Sequence, residues 1–353
     1  MFLNTLSSCT DNSNLTNIKR MKAIVCTKYG PPEVLELREV RKPVPKDHEA
    51  LIKVVVSTVT TGDCRIRRFD FAKWFWIPGR FLFGFTKPRK EIPGWELAGE
   101  IESVGKNVQH HKPGDKVLGF NKGVSFGGTN AEYKCLNESR LVKFDPKTIS
   151  FDEAAAIPIG GLTALYFLRK AKTSKGTKVL IIGASGSVGT YAVQIAKFLG
   201  AEVTGVCSKR NMELVRSLGA EHVIDYSKED FTMNGKRYDI IFDTVDKTSF
   251  FRCRESLCED GRFLTIEWPF LLAIWTSLFS KRKVIIGMAP DKREDLVYLK
   301  ELVESKRVKP IIDKTYPIED AVEAYRYVDT GRKRGNVLLI IDSERHNLKG
   351  KAL

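Results

Sequence analysis

The sequence predicts an α/β protein with two parts: a doubly wound parallel sheet and a smaller, mostly-β domain. Three observations carry this reading. From about residue 153 to 305, strand and helix patterns alternate, which implies a parallel sheet covered by helices on both faces. Residues 178–189 read as a buried-type strand and a glycine turn, and an amphipathic helix follows and ends at Gly200. Before about residue 155 the signals are short strands between Gly and Pro turns.

The elements follow in order. Residues 1–20 are rich in Ser, Thr and Asn and lack a basic start and a long apolar run, so they read as a flexible N-terminal extension, not a secretory signal. A strand opens at Met21, and further strands are expected at 49–60, 95–104, 115–120 and 131–136. The parallel sheet takes strands at 178–182, 202–207, 222–224, 238–242, 262–266 and 284–288, and 191–199 is the clearest helix. The tail, a helix at 318–328 and a strand at 337–341, is free to return to the first domain. The apolar run 268–279 is too short for a bilayer, which needs about 20 residues.

A chain of 353 residues has the length of two domains and buries a core without staples. With 42% hydrophobic and 29% charged residues it is neither disordered nor a membrane-helix bundle. The net charge of +15 points to an anionic partner and leaves nucleic acid, a membrane surface and a phosphorylated cofactor open. Seven scattered cysteines without a C-x-x-C pair read as free thiols in a reducing compartment, and the cytoplasm is the expected location.

The glycine turn is the sharpest signal. Gly186 leaves room for a phosphate, Gly189 permits tight helix–strand packing, and the helix N-terminus offers free N–H groups. Ala184 replaces the first glycine of the usual G-x-G-x-x-G, so the flanking strand and helix carry the assignment. The second strand runs into Ser208, Lys209 and Arg210, where an NAD-binding site would place an acid. Two cations there favour a ribose 2′-phosphate, hence NADPH over NADH.

These residues, with Met21-Lys22-Ala23-Ile24, Pro93-Gly94-Trp95-Glu96, Gly99, Gly105, Pro113-Gly114-Asp115, Gly119, Ala154 to Pro158 and Gly161-Leu162-Thr163, resemble the medium-chain dehydrogenase/reductase superfamily. The zinc-independent quinone oxidoreductase-like branch fits best. The resemblance spans about residues 21–342. It implies a discontinuous GroES-like substrate domain (21–155 and 307–345), a Rossmann domain (156–306), and a cofactor in the cleft between them. It also implies that Thr163 contacts the nicotinamide, that Ser187 and Val188 cover the pyrophosphate, and that Lys209 meets the 2′-phosphate. Tyr226 and Val245 fall on the adenosine side, and Asn336 falls where the tail reaches the cofactor. Homodimers through an edge strand at 283–288 are a further implication. Zinc-dependent relatives carry Gly-His-Glu where this chain has Gly94-Trp95-Glu96, and their first cysteine ligand falls near Thr60. Neither a catalytic nor a structural zinc set is expected. The adjacent His110 and His111 read as a solvated turn.

Without a metal to polarise an alcohol, the chemistry expected is hydride transfer to a small lipophilic quinone, enone or similar conjugated carbonyl, whose charge is delocalised. Thr60 is the candidate catalytic hydrogen-bonding residue; a role as a satisfied strand-end residue stands beside it. Two aromatic-basic segments, 65–90 and 268–283, leave three readings open: a substrate lid, a peripheral membrane contact, or core and dimer packing. The alternative function is a membrane-associated or RNA-binding protein that retains a dinucleotide site with little turnover. No RNA-binding motif is present, so nucleic acid is the weaker partner.

Overall fold

The computed structural model describes residues 19–121, 127–266, 270–290 and 292–347. Residues 1–18 of the expected extension, and Trp268 and Pro269 of the second aromatic segment, lie outside the described residues.

The chain opens with an antiparallel pair, β1 (Arg20–Cys26) and β2 (Leu35–Arg41). The first large sheet takes β3 (Glu49–Val59), followed by helices α1 (Thr61–Arg68) and α2 (Trp76–Phe83). Strands β4 (Glu96–Val104), β5 (Lys116–Phe120), β6 (Tyr133–Asn137) and β7 (Leu141–Lys143) continue it. Helices α3 (Phe151–Ala156) and α4 (Pro158–Lys170) lead to β8 (Lys178–Ile182), α5 (Ser187–Phe198) and β9 (Glu202–Cys207). Then come α6 (Met212–Ser217), β10 (His222–Asp225), β11 (Tyr238–Asp243), α7 (Phe250–Cys253), β12 (Leu257–Thr265), α8 (Phe270–Phe279) and β13 (Lys283–Ile285). After α9 (Arg293–Glu304) the chain returns to the first sheet with β14 (Ile312–Pro317), α10 (Ala321–Asp329), β15 (Asn336–Ile340) and a last helix α11 (Ser343–Asn347).

The second large sheet is all parallel, in the order β10-β9-β8-β11-β12-β13. That is the doubly wound arrangement, with its switch point between β8 and β11, where ligands bind in such sheets. Val179, Leu180 and Ile181 of β8 are fully buried, as a central strand covered on both faces requires. The first sheet runs β14-β15-β3-β4-β5-β7, with β6 on β3. Antiparallel pairing of β15 with β3 draws the tail onto this sheet.

Several boundaries differ from the sequence reading, for physical reasons. Helix α5 starts at Ser187, not 191, because its first turn is built of small residues without apolar periodicity. Strands β2 and β14 carry mostly solvated side chains and so lacked a hydrophobic pattern. The expected strand at 284–288 stops at Ile285, and Gly287 then takes a positive φ of 149°. His111 is buried rather than solvated, while His110 is exposed.

Candidate active site

The glycine turn sits at the switch point. A Cβ on Gly189 would lie 2.1 Å from the Gly183 carbonyl oxygen, so only glycine lets α5 pack this close to β8. A Cβ on Gly186 would meet only the Gly183 oxygen, at 3.4 Å, and the backbone there is open to a ligand. Gly186 provides no side-chain cap for α5, so the N–H groups of Ser187 and Val188 head a helix whose positive end faces the turn.

The tail closes one side of this turn. The Gly335 N–H donates to the Ser185 carbonyl at 2.9 Å, and the Ser187 hydroxyl donates to Asn336 Oδ1 at 2.6 Å. Asn336 is buried, and its Nδ2 donates to the Ile311 carbonyl at 3.1 Å. Helix α4 closes the other side: a Cβ on Gly160 would lie 2.7 Å from Ser187 Oγ. Half-buried Thr163 is three residues further, on the same helix face.

The C-terminal end of β9 is cationic. Ser208 is half-buried, and Lys209 and Arg210 are exposed where β9 ends. The Arg210 guanidinium donates to the Arg332 carbonyl. The Tyr226 N–H donates to the Cys207 carbonyl at 3.2 Å, which sets this exposed tyrosine beside the same strand end. The nearby acid Asp225 uses one oxygen, Oδ1, locally, while its Oδ2 is buried without a hydrogen-bond partner among the described residues. Its carboxylate accepts from the Ser227 N–H and hydroxyl, which hold it below the usual carboxylate range. Val245 covers Gly183, where a Cβ would lie 2.5 Å from Val245 Cγ1. The Asp243 carboxylate accepts the N–H groups of Val245, Lys247 and Thr248 and so shapes that loop. The structure thus aligns Gly186, Ser187, Val188, Ser208, Lys209, Arg210, Tyr226 and Val245 along the C-terminal ends of the parallel strands, with Asn336 reaching in from the start of β15 and Thr163 from α4.

Thr60 stands at the start of α1, in a capping box. Its hydroxyl donates to Asp63 Oδ2 at 2.6 Å and accepts from the Asp63 N–H at 3.1 Å. That hydroxyl hydrogen is committed inside the cap. Asp63 also accepts from the Gly94 N–H at 2.8 Å, and burial pushes its carboxyl up to about 6.

Glu96 was a motif residue in the sequence, with no sign of its environment. It is 1% exposed and bridges the two halves: its carboxylate accepts from the Thr58 hydroxyl and the Ile159 N–H, both at 2.7 Å. Burial pushes it up to about 7. Lys333, one of three consecutive cations, gave no sequence signal. Burial pulls its ammonium down to about 8, while the Glu96 charge acts the other way. Its Nζ donates to the Gly335 carbonyl at 2.7 Å.

The donor set does not fit a zinc ion. Trp95 packs its ring on Gly62, where a Cβ would lie 2.6 Å from Trp95 Cη2. Cys64 is buried with its Sγ 4.0 Å from the Tyr325 carbonyl, and burial pushes its thiol up. Among the described residues, no group of three or more His, Cys, Asp or Glu is placed to hold a metal.

The first aromatic segment divides. Phe71 stacks on Phe83 at 5.1 Å with Phe69 and Phe75 edge-on, whereas Trp76, Ile77, Phe81 and Phe85 are exposed. In the second segment Ile274, Trp275, Leu278 and Phe279 are exposed on α8. No helix of the described residues is long and apolar enough to cross a membrane.

Comparison with known proteins agrees with this geometry. Residues 46–146 match the alcohol dehydrogenase GroES-like domain, and residues 218–339 match a domain described as zinc-binding dehydrogenase. The chloroplast envelope quinone oxidoreductase homolog of Arabidopsis thaliana is 32% identical, across 91% of this chain and 98% of that one. The 2-methylene-furan-3-one reductase of Solanum lycopersicum is 33% identical, across 90% and 79%. The solved quinone oxidoreductase from Coxiella burnetii superposes with a TM-score of 0.83 at 28% identity, covering 92% of this chain and all of that one. The chain is an oxidoreductase of the medium-chain dehydrogenase/reductase superfamily and belongs to its quinone oxidoreductase-like branch.

Proposed function

We propose that the protein uses NADPH to reduce a quinone, an enone or a similar conjugated carbonyl, without a metal ion. The observation that carries the cofactor choice is the exposed Lys209–Arg210 pair at the end of β9, where an NAD site would place an acid. The acceptor class follows from the names of the two relatives, a quinone oxidoreductase homolog and a reductase of a conjugated furanone.

Bound NADPH supplies the hydride. The α5 N-terminus at Ser187 and Val188 holds the pyrophosphate, and Ser208, Lys209 and Arg210 hold the 2′-phosphate. Tyr226 stands near the adenosine phosphate, Val245 walls the adenine side, Thr163 contacts the nicotinamide, and Asn336 supports the cofactor from the tail through Ser187. Thr60 acts by capping α1 and fixing Asp63. A conjugated acceptor spreads its developing charge, so hydrogen-bond donors or water suffice where an alcohol would need a Lewis acid.

The substrate occupies a cavity of about 330 Å³ walled by Asp63, Trp95, Leu82 and Phe83. Helix α2 thereby serves as the lid. Domain limits of 21–155 with 307–345, and of 156–306, fit the two sheets. Helix α8 packs beside the edge strand β13, so its exposed apolar face suits a homodimer that joins two β13 edges. Six free cysteines among the described residues suit a reducing compartment such as the cytoplasm.

The test is oxidation of NADPH and NADH with a panel of quinones and enones, with and without a chelator. Turnover with NADPH that survives chelation is expected. No turnover with any acceptor would overturn the reductase, and inhibition by the chelator would overturn the metal-free chemistry.

A further inference from the structure

We infer that the substrate carries a negative charge beside its conjugated carbonyl, as a carboxylate or a comparable acid on an apolar body. This rests on the reductase reading and adds the substrate class. Three cations, Arg67, Arg89 and Lys90, line the same cavity against one carboxyl group, Asp63. Both oxygens of that carboxyl are taken, by Thr60 and by the Gly94 N–H. Its single negative charge is outnumbered by the three positive ones.

Arg67 is the strongest element. It is 2% exposed, and its Nη2 donates to Asp329 at 2.5 Å. Asp329 is shared, since it also accepts from Arg68 at 2.8 Å. Nε and Nη1 of Arg67 have no hydrogen-bond partner among the described residues. A buried donor left unpaired is costly, more so on a charged group, so Arg67, paired with Asp329 through Nη2 alone, keeps two unpaired N–H donors beside the cavity. Arg89 and Lys90 are exposed at the rim, and neither forms an ion pair among the described residues. The positive field extends past Lys90. Lys134 donates to the carbonyl of Gly127, which also lines the cavity, and burial with the Lys90 charge lowers its ammonium to about 8. Leu82, Phe83 and Trp95 cover the apolar part of the ligand.

The test is calorimetric binding of benzoylacrylate and of its primary amide, which has the same shape without the charge, to the full chain with and without NADP. Turnover of both compounds is followed separately. The acid is expected to bind about tenfold more tightly than the amide, the value of one charge-assisted hydrogen bond. In the double variant Arg89→Gln, Lys90→Gln, whose sites are on the surface, the gap shrinks. Arg67→Met shrinks it further where that variant folds. Equal binding of acid and amide, or a gap untouched by the double substitution, overturns the inference. Turnover of neutral enones without preference for the acid leaves the reductase standing and removes the charge requirement. Preference for the acid without any turnover does the reverse.

Discussion

The Ser187 hydroxyl donates to Asn336 Oδ1 at 2.6 Å and so ties the first turn of α5 to β15 of the other sheet. A parallel bridge between Gly186 and Gly335 runs beside it. The two halves of the molecule therefore meet at the turn where the pyrophosphate would lie.

That tie predicts the effect of Asn336→Ala. Loss of one buried hydrogen bond costs about 1 kcal/mol, so NADPH binding should weaken about fivefold. A fluorescence titration measures this. An unchanged Kd would mean that the tail shapes the fold without supporting the cofactor.

Lys209 and Arg210 should discriminate between the two nicotinamide cofactors. Replacing both with Ala should weaken NADPH binding by at least about tenfold, the loss of a charge-assisted hydrogen bond, with little change for NADH. Parallel titrations decide it. Equal loss for both cofactors would place the cations on the shared pyrophosphate instead.

Glu96 predicts a pH dependence of stability. Its carboxyl stands at about 7 in the fold against an ordinary value of 4.5, so the folded chain keeps a proton that the unfolded chain releases between those values. The favourable contribution is complete below pH 4.5 and is lost as pH rises through about 7. Asp63, raised from 3.8 to about 6, acts in the same sense at lower pH. Glu96→Gln keeps one acceptor for the Ile159 N–H and a donor for Thr58. It should flatten the fall in Tm between about pH 5 and 8 by on the order of a few degrees. A fall as steep as in the parent protein would locate the titrating group elsewhere.

Thr60 separates capping from catalysis. Thr60→Ser retains both hydrogen bonds of the box and should leave Tm in place. Thr60→Ala should cost about 0.5–2 kcal/mol of stability. In the folded Ala variant kcat should fall by less than about tenfold, below the range of a lost proton-transfer group. A much larger loss in kcat with Tm preserved would make the hydroxyl a direct hydrogen-bond donor to the substrate.

The parallel sheet was legible because its central strands are continuously apolar and its glycines punctuate the switch from strand to helix. Gly183 takes a positive φ of 76° and Gly200 one of 83°, conformations that explain glycine at these positions. The start of α5 was misplaced because its first turn, from Ser187 to Thr190, is built mostly from small residues, which carry no periodic signal. The aromatic segment at 69–85 was ambiguous because its rings serve two purposes. Phe71 and Phe83 pack together, and Trp76 and Ile77 face solvent.

The sequence by itself determined the strand–glycine–helix unit, the cations after β9 and the loss of the zinc-ligand pattern at Trp95. These are local matters of backbone sterics and of which side chain stands at a strand end. Only the tertiary structure decided that Glu96 is buried near Lys333, that the Thr60 hydroxyl is spent on Asp63, and that Arg67 shares its one carboxylate with Arg68. Desolvation and hydrogen-bond partnership come from segments far apart in the chain, and no local pattern encodes them.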